Sequence, residues 1–179
     1  LVLATRDHVF ALNAPRRFGS VDLLLAPELD LWPPFAALGP EPLGEMLTPE
    51  HLREATRGRK QAIKLLLLDQ RVVAGLGNIY VCEALWQAGV NPRKAGGKIT
   101  MPQLRRLVPA IKDVLERSIR DGGSTLRDFA QPDGNLGYFA TRFHVYGRER
   151  QVCHHEDGGT IRRIVQGGRS TWFCPVCQK

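Results

Sequence analysis

No apolar run in this sequence approaches the roughly 20 residues that a membrane-crossing helix needs. The longest is Ala62–Asp69, AIKLLLLD, and a lysine interrupts it. An initiating Met is missing, as is a charged segment leading into an apolar one, so nothing reads as a signal peptide. Cysteine is scarce, with four residues in 179. Without a secretory leader, so few argue against a disulfide framework. Acidic residues are outnumbered, 18 against 25 Lys and Arg, for a net charge of +7. A basic surface of this kind is suited to a polyanion, because phosphates attract Lys and Arg and release counterions on binding. The last absence is local. Cys153, Cys174 and Cys177 give three good zinc ligands, where a structural zinc site wants four.

The chain opens on alternating residues that read as the middle of a β-hairpin: Leu1 and Val2 in one strand, Arg6-Asp7-His8 as the turn, Val9 to Leu12 returning. Domains seldom begin mid-hairpin, so the expectation is a longer protein whose N-terminal part precedes these residues. Residues 26–49 are rich in proline and read as a linker. Leu31, Trp32, Phe35 and Leu38 within it are expected to pack on something. Thr48-Pro49-Glu50 supplies an N-cap and a proline at the first helical position. A short apolar helix is expected over 60–69 and another from Asn78, with Ile79, Cys82, Leu85 and Trp86 on one face and Gly89 closing it. Cys82 reads as a small buried hydrophobe. Thr100 with Gln103 is a capping box. It starts the clearest helix, where Leu104, Leu107, Val108, Ile111, Val114, Leu115 and Ile119 keep the 3.6-residue period. Pro109 should kink it, at a cost of about 3 kcal/mol if nothing compensates. Residues 122–140 read as a long loop, and 143–179 as a small β-hairpin with cysteines at its base.

Several stretches carry chemistry. In GLGNIY, Gly75–Tyr80, two glycines permit close backbone approach, and a helix start offers free N–H groups to a phosphate, with Asn78 beside them. The Cys174-x-x-Cys177 knuckle with Cys153 about twenty residues upstream is a fairly specific zinc signal. A redox pair would sit at a helix start after a strand. From Gly147 to Lys179 six basic residues face three acidic ones, so the hairpin suits a phosphate-facing element. A zinc ribbon whose arginines are merely solvated is the alternative. APRRFG, Ala14–Gly19, offers arginines for a groove and a Phe wedge; taken in isolation, the default reading is that Phe18 packs inside and the arginines are solvated.

Taken in order, APRRFG, LGPEPL, KQAIKLLLLDQRVVAGLGNIYVCEALWQAG, RSIRDGGSTLRDFAQPDGNLGYF and VYGRE…C…GGRSTWFCPVCQK closely resemble the bacterial formamidopyrimidine-DNA glycosylases. GNIY and the GGSTLRDF…DGNLGYF segment bring the chain nearer to them than to endonuclease VIII. The resemblance covers nearly the whole chain. It implies an α+β fold: residues 1–25 as the last strands of an N-terminal β-sandwich lobe, 26–49 as linker, 50–142 as a helix–two-turns–helix DNA-binding lobe with a lesion-capping loop, and 143–179 as a zinc-finger hairpin. The implied function is base-excision repair. Such enzymes remove oxidised purines, chiefly 8-oxoguanine and formamidopyrimidines, from duplex DNA by Schiff-base chemistry and then cut the strand by β,δ-elimination.

The resemblance also assigns residues. Arg16 matches the arginine that enters the gap left by the flipped base, and Phe18 the adjacent wedge. Lys60 and Lys64 match basic positions lining the DNA and lesion side. Asn78 matches the asparagine that grips a phosphate beside the extruded nucleotide, and Tyr146 a phosphate-facing tyrosine. Arg169 matches the finger arginine credited with δ-elimination; a guanidinium is a poor general acid, so it reads here mainly as an electrostatic clamp. Ser124 to Tyr138 matches the loop that caps the damaged base. Zinc is the implied cofactor, held by Cys153, Cys174 and Cys177. The fourth ligand stays open between His155 or His154, the less usual Glu156, and an impaired site. Ala14 replaces an aspartate common before Pro-Arg-Arg-Phe. The family's N-terminal proline nucleophile, the glutamate after it and a hairpin lysine have no match among these residues. The 179-residue polypeptide is therefore expected to bind DNA without forming a Schiff base. Abasic-site DNA is a further expected partner, the chain is expected to be monomeric with no membrane association, and its location cytoplasmic with the nucleoid. A non-catalytic zinc-dependent DNA-binding module and a zinc-ribbon protein-interaction module are the rival readings.

Overall fold

The computed structural model describes residues 1–12, 21–123 and 139–179. They divide into two compact units, Leu1–Phe35 and Ala36–Lys179, so the division falls inside the stretch read as linker.

The first unit holds strands β1 (Val2–Ala4) and β2 (Val9–Ala11), paired antiparallel with Leu3 opposite Phe10. Thr5 closes the turn, its hydroxyl accepting the His8 N–H. Leu1, Val2, Val9 and Phe10 are all exposed. A 3₁₀ segment, Ala26–Leu31, leads into the short helix α1 (Pro33–Ala36). The expectation that the apolar linker residues pack is met only in part. Trp32 meets Phe35 edge-on at 5.1 Å, while Leu31, Phe35 and Leu38 are exposed.

The second unit is helical, with a hairpin at its end. Helix α2 (Pro49–Thr56) starts where Thr48 Oγ1 accepts the His51 N–H. Helix α3 (Ile63–Leu67) is short, and α4 (Asn78–Gln87) closes with Gly89 at φ +66°, a conformation that costs glycine little. Helix α5 (Met101–Arg120) carries the complete capping box, Thr100 Oγ1 accepting from Gln103 and the Gln103 side chain accepting from the Thr100 N–H. It is one continuous helix through Pro109. Pro109 and Arg105 both lie on the exposed side, where water can serve the Arg105 carbonyl that the proline leaves without a donor. The opposite face of α5 buries Leu104, Leu107, Ile111 and Val114 against Leu85 of α4 and Leu52 of α2 in one apolar core. Removing the side chain of Leu104 should cost about 2–5 kcal/mol.

Strands β3 (Arg162–Gln166) and β4 (Arg169–Phe173) form the C-terminal hairpin, with Gln166 opposite Arg169. The connecting Gly167-Gly168 both have positive φ, +54° and +73°, which a two-residue turn matched to the strand twist requires. A Cβ on Gly167 would meet Leu65 Cδ2 at 2.9 Å, so the hairpin tip lies directly on α3.

Candidate functional site

The hairpin is fastened to the helices by polar ties that converge on one carbonyl. Asn78, the first residue of α4, donates from Nδ2 to the Ser170 oxygen at 3.0 Å. Lys64 of α3 donates from Nζ to the same oxygen at 3.1 Å and to Thr171 Oγ1 at 2.7 Å. Asn78 Oδ1 is buried and meets no donor among the described residues. Arg169, next to Ser170, is exposed. Arg163 reaches Ser170 Oγ at 2.9 Å and lies over the Trp172 ring. The fold thus brings three sequence-expected residues, Lys64, Asn78 and Arg169, to the hairpin tip.

It also corrects the role of one. Lys64 is fully buried. It is not an exposed lysine lining a DNA surface but a tie between α3 and β4. Burial pushes its ammonium pKa down, Cys82 nearby opposes this, and Arg169 adds to it. Cys82 is buried as expected, and burial raises its thiol to about 11. Lys60 is exposed between α2 and α3. Tyr146 is half-buried, its ring 4.3 Å from that of Trp172. Arg16, Phe18 and the loop Ser124 to Tyr138 lie outside the described residues.

At the other end of the hairpin Cys153, Cys174, Cys177 and Asp157 bring their ligand atoms within 4.8 Å of one another. The expectation that His155 completes the site is not met. Glu156 adopts a left-handed φ of +52°, and its N–H closes a turn on the Cys153 carbonyl at 3.2 Å. The chain then delivers Asp157 to the sulfurs, while His155 stacks on Trp86 at 4.0 Å. Asp157 Oδ2 stands 3.3 Å from Cys174 Sγ, and Cys153 Sγ 3.9 Å from Cys177 Sγ. A tetrahedral zinc ion with its usual bond lengths needs S···O near about 3.5 Å and S···S near about 3.8 Å, so the residues present fit this metal. Asp157 Oδ1 accepts the Gly159 N–H at 2.7 Å, which fixes the carboxylate with its other oxygen toward the sulfurs. Burial works against charge on Asp157, but the Gly159 N–H and the cysteine thiols hold its carboxyl below the usual range. Burial, then Asp157, pushes the Cys177 thiol up, and burial does the same to Cys174. A bound dication reverses that balance and deprotonates the thiols.

Two residues beneath the site escaped sequence reasoning. Glu83, buried in α4, accepts the backbone N–H groups of His144, Val145 and Tyr146 at 2.9, 3.0 and 2.9 Å. Burial disfavours its charge, yet these bonds and the His144 side chain hold the carboxyl below its ordinary value. Trp86 donates from Nε1 to Cys153 Sγ at 3.3 Å. A charged residue in the apolar register of α4 was the one available signal for Glu83. Trp86 reads from the sequence as part of the apolar face of α4, and nothing local marks its bond to Cys153.

Comparison with known proteins gives a consistent result. Residues 38–130 match the formamidopyrimidine-DNA glycosylase H2TH domain, and residues 158–179 match the zinc finger found in FPG and IleRS. The chain is 69% identical over 179 residues to a formamidopyrimidine-DNA glycosylase of Erythrobacter litoralis, and 62% identical over 180 to one of Novosphingobium aromaticivorans. All of this chain is covered in both alignments, and it spans 66% of each relative's length. Among solved structures, the MutM (Fpg) protein of Thermus thermophilus superposes with a TM-score of 0.89 at 39% identity, over 99% of this chain and 67% of that one. Lactococcus lactis Fpg, in complex with DNA containing an abasic site, superposes with a TM-score of 0.83 at 35% identity, over 92% and 60%.

Proposed function

The chain belongs to the formamidopyrimidine-DNA glycosylase family, and from that premise we propose that it forms the DNA-holding part of a base-excision repair enzyme. The observation that carries the reading is the convergence of Lys64 and Asn78 on the Ser170 carbonyl, beside exposed Arg169. Two buried or half-buried side chains fix the hairpin tip on α3 and α4. This holds Arg169, the neighbour of Ser170, close to the start of α4, where both its charge and the free N–H groups favour a phosphate. The cysteine cluster fixes the other end of the hairpin, so zinc acts structurally and takes no part in bond breaking.

In the whole protein this clamp holds the backbone of duplex DNA next to a flipped-out oxidised purine, or next to the abasic site left after its removal. Arg16 and Phe18 fill the gap, the segment Ser124 to Tyr138 covers the damaged base, and Lys60 and Tyr146 add backbone contacts. Lys64 contributes by positioning the hairpin. An N-terminal β-sandwich lobe beyond these residues supplies the amine nucleophile, so the 179-residue polypeptide binds without cutting. It acts as a monomer in the cytoplasm, on the nucleoid.

The test is binding of the 179-residue chain to duplexes with and without an abasic-site analogue, followed by fluorescence anisotropy. Borohydride trapping on natural abasic DNA is run in parallel. Tighter binding to the abasic duplex with no trapped adduct supports the proposal. Equal binding to both duplexes reduces the chain to a DNA-binding module without lesion preference, and a trapped adduct refutes the assignment of the nucleophile.

A further inference from the structure

We infer that Trp86 is a positioning residue of the metal centre, holding Cys153 through a hydrogen bond from outside the ligand set. The inference rests on the reading that the cysteine cluster holds zinc. Trp86 is 5% exposed, and its indole Nε1 lies 3.3 Å from Cys153 Sγ. An indole N–H can only donate, and a metal-bound thiolate is a far better acceptor than a thiol. Groups of this kind around a metal orient its ligands and tune their basicity.

The ring that carries this donor is itself held. His144 stacks on it at 4.4 Å between centroids and 14° between planes, and His155 at 4.0 Å and 15°. His144 is fixed in turn by buried Glu83, which takes its backbone N–H at 2.9 Å and faces its Nδ1 at 3.2 Å. The sequence reading offered His155 as a ligand; here it clamps the residue that braces one.

This arrangement ties α4 to the hairpin at both ends. Asn78, its first residue, bonds the Ser170 carbonyl beside Arg169, and Trp86 bonds the Cys153 sulfur. The helix rises about 12 Å from one to the other. The metal centre and the hairpin tip are thus referenced to the same rigid element, so the bond from Trp86 sets where Cys153 meets the metal relative to the tip.

Substitution of cobalt and cadmium into the full 179-residue chain tests this. Trp86→Phe keeps an aromatic ring for the imidazoles to stack on and removes the N–H donor. The expected result is one cobalt per chain in both proteins, a sulfur-to-cobalt charge-transfer band moved to longer wavelength in Trp86→Phe, and zinc affinity lowered about 10- to 100-fold. His155→Ala keeps the N–H but removes one of the two rings that hold the indole, so it should move the band in the same direction and by less than Trp86→Phe does. A second measurement needs no variant. In the chain loaded with cadmium-113, the Trp86 indole proton should show scalar coupling to the metal through the Cys153 sulfur. Normal metal uptake with no coupling, or with an unmoved band and unchanged affinity in Trp86→Phe, overturns the role of Trp86 alone. A wild-type chain that takes up no metal overturns the zinc reading and this inference together.

Discussion

Gly158 and Gly159 stand side by side next to the cysteine cluster, and replacing each with alanine should fail in a different way. A Cβ on Gly159 would lie 2.5 Å from Cys174 Sγ, 2.8 Å from Asp157 Oδ1 and 3.0 Å from Val176 Cγ2. Ordinary contact begins near 3.4 Å, so two groups of the metal site must retreat by roughly 0.6–0.9 Å. Metal–ligand distances tolerate only about 0.2 Å, so Asp157 or Cys174 leaves coordination. Gly159→Ala should therefore lower zinc affinity at least as far as loss of an outer-shell partner does, about 10- to 100-fold. Gly158 has a φ of +73° and open space around its Cβ position. Gly158→Ala should cost about 1–2 kcal/mol of backbone strain and leave the metal site intact. Zinc release to a chromophoric chelator, with total zinc by mass spectrometry, separates the two. A Gly159→Ala protein that retains zinc as tightly as the wild type would refute the reasoning about the cradle.

Two buried charges give further expectations. Lys64 has a folded pKa below its ordinary 10.5, so the unfolded chain binds more protons between those values and stability rises with pH there. Lys64→Met should abolish that alkaline rise and cost about 1–3 kcal/mol at neutral pH by stranding the Thr171 hydroxyl, offset in part by relief of the buried charge; denaturant titrations at several pH values check both. Glu83 has a folded pKa below its ordinary 4.5, so its contribution is present above that value and lost as pH falls through the folded pKa. Glu83→Gln should remove this acid-side dependence and lower stability at neutral pH by about 1.5–3 kcal/mol, read from the same titrations.

Local signals made the helices legible. The capping box of Thr100 and Gln103 and the 3.6-residue period mark the start of α5 and its buried face as far as Val114, while Ile119 at the end of the expected face is exposed, and Gly89 marks the end of α4. What escaped depends on how distant segments meet. Lys64 looks like a surface lysine until β4 is laid over α3, when its ammonium finds Ser170 and Thr171 more than a hundred residues away. Asp157 is not legible from the sequence because its approach to the sulfurs depends on the left-handed turn at Glu156, which no residue type there announces. His155 was offered as a ligand on chemical type alone, and the stack with Trp86 claims it instead. Asn78 is marked by its place at a helix start as well as by the resemblance, Arg169 by the basic hairpin and the resemblance, and their approach through Ser170 supplies a physical reason for pairing them.

The central claim is that a metal-pinned hairpin presents Arg169 beside the start of α4 to hold a DNA phosphate. Its most direct test is the salt dependence of duplex binding by the wild type and Arg169→Ala, with zinc content measured on the same samples. The account predicts weaker binding and a slope of log affinity against log salt shallower by about 0.9–1 in the variant, with zinc unchanged. Equal affinity and equal slope in a variant that keeps its zinc would contradict it.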